Sequence, residues 1–157
     1  MSNAYRPPSA ELADRSEYVG SPIIAVFVGF LIAWVGGVGA ATAVTHGYLS
    51  ISLSQGSAFE GSLRSGALFL SLLLLSDALV AWLAAYSTAR IANRREYLWV
   101  TVLLVLNYSL NELIVLLLPV MNDGWPTWYL WTDFAVSITA SYFAAYVSKA
   151  GRISYGN

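Results

Sequence analysis

Residues 66–89 read GALFLSLLLLSDALVAWLAAYSTA, residues 90–96 read RIANRRE, and residues 97–118 read YLWVTVLLVLNYSLNELIVLLL. Each flanking run is 22 residues or longer and almost wholly apolar, enough at about 1.5 Å of rise per residue to cross a hydrocarbon core of about 30 Å. The segment between them holds Arg90, Arg94 and Arg95, three of the chain's eight basic residues. Such a turn stays on the cytoplasmic side of a membrane. The hairpin therefore predicts two membrane-spanning helices, and each carries polar groups inside its span: Asp77 in the first, Asn107, Asn111 and Glu112 in the second.

Composition points the same way. Of 157 residues, 57% are hydrophobic and 11% charged, where a soluble domain has about a quarter charged. A soluble globule of this size cannot hide that much apolar surface, so the lipid bilayer is the expected solvent. A formal net charge of −1 gives no electrostatic basis for nucleic-acid binding. There is no cysteine and one histidine, so thiolate nucleophiles, disulfide exchange and His-cluster metal sites within the chain are excluded. No nucleophile–base pair and no metal-ligand spacing is visible, and no cofactor is implied; the chain is read as non-enzymatic.

Working outward, residues 128–148 form a further span that repeats the pattern of the first half of the hairpin. Asp77, Ala81, Ala84, Ala85 and Thr88 share one helical face, as do Asp133, Ser137, Ala140, Ser141, Ala144, Ala145 and Ser148. Each acid heads a stripe of small residues, compatible with two helical hairpins in a weak parallel repeat. Residues 23–44 make the remaining span. There Gly29, Ala33, Gly37 and Ala41 recur every fourth position and form a smooth groove that lets another helix approach closely. Ala41-Thr42-Ala43 has the form of a signal-peptidase site, but the apolar run is too long and the preceding tail too acidic for a signal peptide. The expected fold is thus an all-α membrane protein of four transmembrane helices, spanning about 23–44, 66–89, 97–118 and 128–148. Residues 1–20 and 149–157 are expected as cytoplasmic tails.

Loops and interfaces complete the pattern. Pro7-Pro8 and Ser9 precede a short helix with Glu11 and Arg15 paired. Thr45 to Ser65 is expected as a polar outer loop, with Ser57, Glu60 and Arg64 marking a short interfacial helix and His46 at the outer boundary. Pro119 ends the third span, Asn122-Asp123-Gly124 turns outside, and Trp125, Trp128, Tyr129 and Trp131 form an aromatic belt. Arg6, Arg15, Arg90, Arg94, Arg95, Lys149 and Arg152 fall on one side against Arg64 alone on the other, which puts both termini in the cytoplasm.

The turn Ala89-Arg90-Ile91-Ala92-Asn93-Arg94-Arg95 resembles the central loop of small, uncharacterised bacterial four-helix inner-membrane proteins, in which A-R-x-A-x-R-R follows a glycine-rich helix end. The resemblance covers the second half of the chain. This chain departs from it with Ala84-Ala85 in place of glycines and Glu96 directly after the arginines. It implies a four-span protein of a bacterial inner membrane and carries no activity with it.

Counting along upright helices puts Asp77 and Asn107 at about 16 Å from the outer boundary, and Glu112 and Asp133 at about 8–9 Å. Two carboxyls at one depth rarely both ionise. Acids at depth are costly, and they mark either a functional site or a protonated hydrogen-bonding group that glues helices together. The expected function is therefore a structural or accessory subunit, packed against copies of itself or other membrane proteins through its small-residue faces. The alternative is a proton-coupled or cation transport unit built on the intramembrane carboxylates.

Overall fold

The computed structural model describes residues 20–54, 66–118 and 125–154. All regular structure among them is helical: α1 (Pro22–Ser54), α2 (Ala67–Ala92), α3 (Glu96–Leu117) and α4 (Thr127–Ser154). The expected N-terminal tail helix, the Ser57–Glu60–Arg64 segment, Pro119 with the Asn122–Gly124 turn, and residues 155–157 lie outside the described residues. Three helices, α1, α2 and α3, are long and apolar enough to cross a membrane. The fourth is 28 residues long, but Ser, Thr and an acid interrupt its apolar residues throughout TWYLWTDFAVSITASYFAAYVSKAGRIS.

Helix α2 is the centre of the bundle and packs on all three others; α1 and α4 flank it, with α3 touching all of them. Much of what is buried is small, Ala25, Ala84, Ala85, Ala89, Ala92, Ala144, Ala145, Thr88, Ser137, Ser141 and Ser148, with Phe69, Leu70, Leu73, Val100, Leu103 and Tyr129 as the large buried residues. What is exposed is large and apolar, for example Ile23 (80%), Phe27, Val35, Leu75, Leu79, Val105, Leu116 (76%) and Trp131. A water-soluble monomer rarely exposes contiguous apolar patches beyond a few hundred Å², whereas helices in lipid associate through small residues that bring backbones together.

The seam between α1 and α2 shows why small residues are needed. Thr88 is fully buried, and its hydroxyl lies 2.9 Å from the Ala84 carbonyl and 3.2 Å from the Ala25 carbonyl of α1. A methyl group at Gly29 would run into that hydroxyl, and one at Gly20 into the Ile91 carbonyl. On the opposite side of α2, Ala85 and Ala89 meet Ala144 and Ala145 of α4, with Val100 of α3 closing the cluster and Trp82, Tyr86 and Leu104 around it.

The element boundaries differ from expectation in three places. Thr45–Ser54, expected as loop, continues α1. Thr45 donates to the Ala41 carbonyl at 2.7 Å and Ser50 to the Gly47 carbonyl at 2.8 Å, so these polar side chains are satisfied within the helix. Tyr48 packs on Phe69 at 5.3 Å and joins an apolar cluster of Leu70, Leu73 and Tyr129. Helix α2 runs three residues past Ala89, ending where Asn93 (φ 56°) adopts the left-handed conformation and its N–H reaches the Ala89 carbonyl. Arg95 (φ 53°) is left-handed too, so the basic turn is only Asn93–Arg95. Helix α4 continues to Ser154, carrying Lys149 and Arg152 as helical rather than tail residues.

Helix α3 is held at one end. Its buried residues are Val100 and Leu103, both near the turn, and none follows. Beyond Leu103 its residues are at most half-buried, and Asn107, Tyr108 and Asn111 face the site described next.

Candidate functional site: a polar chamber inside the bundle

All four helices contribute to one cavity of about 320 Å³. Helix α2 presents Asp77, Ala81 and Ala84; α4 presents Asp133, Ser137 and Ser141; α3 presents Asn107, Tyr108 and Asn111; and α1 supplies Ala33, Trp34 and Gly37. The i, i+4 stripes read in the sequence thus become walls, with an acid on α2 and another on α4 above the small residues.

The local geometry is held by phenols and hydroxyls. Tyr129 donates to Asp77 Oδ2 at 3.4 Å, a long hydrogen bond, and Ser137 donates to Asp133 Oδ1 at the limiting distance of 3.5 Å. Tyr108 packs edge-on against Phe134, centroids 4.8 Å apart, with its hydroxyl toward Ser137. Tyr129 is wedged between Trp125 (5.1 Å, stacked) and Trp128 (6.2 Å, edge-on). Ser141 is 1% exposed and lines the chamber. No Lys, Arg or His lines the cavity, and among the described residues no cluster of three or more His, Asp or Glu stands close enough to hold a metal ion.

No protein-family model, no curated protein and no solved structure matches this chain. The site is therefore interpreted from its own geometry.

Of the polar residues singled out in the sequence, Asp77, Asn107, Asn111 and Asp133 come together on the chamber. Glu112 and His46 do not: both are exposed, Glu112 on α3 and His46 on the continuation of α1. The pairing by depth is also different. Residue counting set Asp133 beside Glu112; the structure sets it with Asp77, facing the same space.

The packing residues divide similarly. Ala85 and Ala145 are fully buried at the α2–α4 seam, and Gly29 is buried against Thr88. Ala33, Gly37, Ala81, Ser137 and Ser141 line the chamber, and Ala41 packs against the Phe69–Tyr129 cluster. Gly37, expected to be a point of helix contact, has nothing within 4 Å of where a Cβ would sit. Sequence reasoning missed Tyr129 as an inward group by assigning it to the aromatic belt. Its position four residues before Asp133, on the same helical face, was the available signal.

Proposed function

We propose that this chain is an integral membrane protein that crosses the bilayer four times with both termini on the cytoplasmic side, and that it acts as a small carrier of protons or cations. The observation that carries this is the chamber: two carboxyl groups from different helices face one internal space with no basic residue on its walls. An acid pair that merely glued helices together would be expected in direct contact, without room for a solute.

The crossing of α4 is supported by its length, about 42 Å by helical rise, and by the burial of its small face along α2 from Ser137 to Ser148. The cytoplasmic assignment rests on Arg90, Arg94, Arg95, Lys149 and Arg152. Lys149 lies over the Tyr97 ring at 5.7 Å, so the end of α4 and the start of α3 occupy the same side. A bacterial inner membrane fits this charge distribution.

The test uses the full chain in liposomes. A pH gradient or membrane potential is expected to drive a current or cation uptake that Asp77→Asn abolishes while secondary structure and elution volume stay unchanged. Absence of any flux, or full flux in Asp77→Asn, overturns the carrier assignment.

A second function, an accessory subunit in a homo-oligomer or with other membrane proteins, is favoured by one feature. Beyond Leu103 no residue of α3 is fully buried and the acid Glu112 is exposed, and a carboxyl on such a face calls for a partner.

A further inference from the structure

The end of the bundle that carries the turn is strongly cationic. Arg90, Arg94, Arg95 and Lys149 are all exposed there, against one acid among the described residues, half-buried Glu96. Two of the cations are set in place by tyrosines. Arg90 donates through Nε to the Tyr86 hydroxyl at 3.1 Å. Lys149 lies over the Tyr97 ring, Tyr97 stacks on Tyr142 with centroids 6.4 Å apart, and the Tyr142 hydroxyl is 2.9 Å from that of Thr101. Arg95 precedes Tyr97 by two residues, so its guanidinium and the Lys149 ammonium reach one corner from different elements.

A second feature lies on α4. Ala135, Val136, Thr139, Ala140 and Phe143 line an open apolar groove of about 390 Å³. Thr139 donates to the Ala135 carbonyl at 2.7 Å, so its hydroxyl is satisfied within the helix and leaves the groove apolar. Helical rise puts these residues about 9–21 Å along α4 from Lys149. One leaflet of hydrocarbon is about 15 Å deep, half of about 30 Å. Cations at headgroup level and an apolar groove at acyl depth, on one helix, match the two parts of a single molecule. Neither a soluble anion nor an uncharged lipid uses both.

From this arrangement we propose that the α3–α4 corner binds one anionic phospholipid of the cytoplasmic leaflet. Arg95 and Lys149 hold its phosphate, the guanidinium through paired N–H donors and the ammonium as a point charge. Arg90 and Arg94 add to the positive field that draws an anionic headgroup to a membrane surface. An acyl chain lies in the groove on α4.

The site rests on the four-span topology above and not on the carrier activity. The full chain in detergent micelles is mixed with equal amounts of phosphatidylglycerol and phosphatidylcholine bearing the same acyl chains, and the lipid retained per chain is counted by native mass spectrometry. One retained phosphatidylglycerol is expected, favoured by about tenfold or more. Arg95→Gln and Lys149→Gln should each lower that preference about fivefold, the scale of one cation near an anionic surface, whereas Lys149→Arg should keep it. Thr139→Trp fills the groove without touching the cations, and should loosen the lipid while secondary structure and elution volume stay unchanged. Equal retention of the two lipids, full preference in the Arg95→Gln/Lys149→Gln double variant, displacement by inorganic phosphate, or undiminished retention in Thr139→Trp would overturn the site. Flux without lipid preference would remove the lipid and leave the carrier standing; lipid preference without flux would do the reverse.

Discussion

At the scale of single residues, Gly29 and Thr88 meet where α1 crosses α2, and each limits the other. Gly29→Ala should destabilise the bundle by about 1–3 kcal/mol through overpacking, and Thr88→Ala by about 0.6 kcal/mol or somewhat more through the lost interhelical hydrogen bond. Because the first clash is with the Thr88 hydroxyl, the double variant should be less impaired than the sum, by more than about 0.5 kcal/mol. A denaturation cycle in mixed micelles measures this, and strict additivity would show that the two groups do not touch. In the turn, Arg95 holds a left-handed backbone that costs an L-residue with a long side chain about 1–2 kcal/mol. Arg95→Gly should therefore raise the melting temperature, and a fall would mean that its side chain matters more than its backbone. Ser148 Oγ is buried without a hydrogen-bond partner among the described residues. Ser148→Ala should leave stability unchanged or increase it by up to about 1 kcal/mol. Spacing alone identified Thr88 and Ser148 as belonging to small-residue faces. It did not distinguish which hydroxyl finds a carbonyl, since that depends on an approach of a few tenths of an ångström between backbones.

At the scale of elements, α3 has its buried residues, Val100 and Leu103, near the turn and none beyond them. Leu103→Ala should cost about 2 kcal/mol or more, whereas Leu113→Ala, on an exposed position, should stay within about 0.5 kcal/mol. Equal losses at the two positions would contradict an α3 held at one end. All four helices were legible as apolar runs broken by Arg90–Arg95 and by the polar segments on either side of the hairpin. Their ends were less so. Thr45–Ser54 reads as loop because serine, threonine and glycine favour helices poorly, but the contact of Tyr48 with Phe69 is made between distant residues and no local pattern announces it. The end of α2 was legible in principle, since asparagine tolerates the left-handed cap better than the residues around it.

At the scale of the whole molecule, the charge asymmetry predicts a topology that labelling can test. A cysteine at Ser50 should react with an impermeant reagent in intact cells, and one at Arg94 only after permeabilisation. The opposite pattern would invert the protein. The burial of small residues, alanine and serine, between the helices was visible in the stripes headed by Asp77 and Asp133. That these two acids share a chamber was not. Counting residues from a boundary gives depth only for upright helices and carries no information on tilt, so Asp133 was set nearer to Glu112. The chamber is walled by residues of all four helices, a property of the four together and of none alone.

Helix α1 has 33 residues, about 50 Å by helical rise, against a hydrocarbon thickness of about 30 Å. To fit wholly inside, it would have to lean by roughly 50°, beyond the range of about 0–40° found for spanning helices. Were the helix to cross a bilayer as proposed, some of its turns would stand clear of the hydrocarbon, the polar ones at its end among them, held by Tyr48 to the neighbouring helix, while α3, about 33 Å long, would match the hydrocarbon. That arrangement predicts a preference for bilayer thickness. A thicker membrane would draw Thr42, His46 and Ser50, all exposed, down among the acyl chains, so lengthening the lipid tails should cost this protein stability and shortening them should be tolerated.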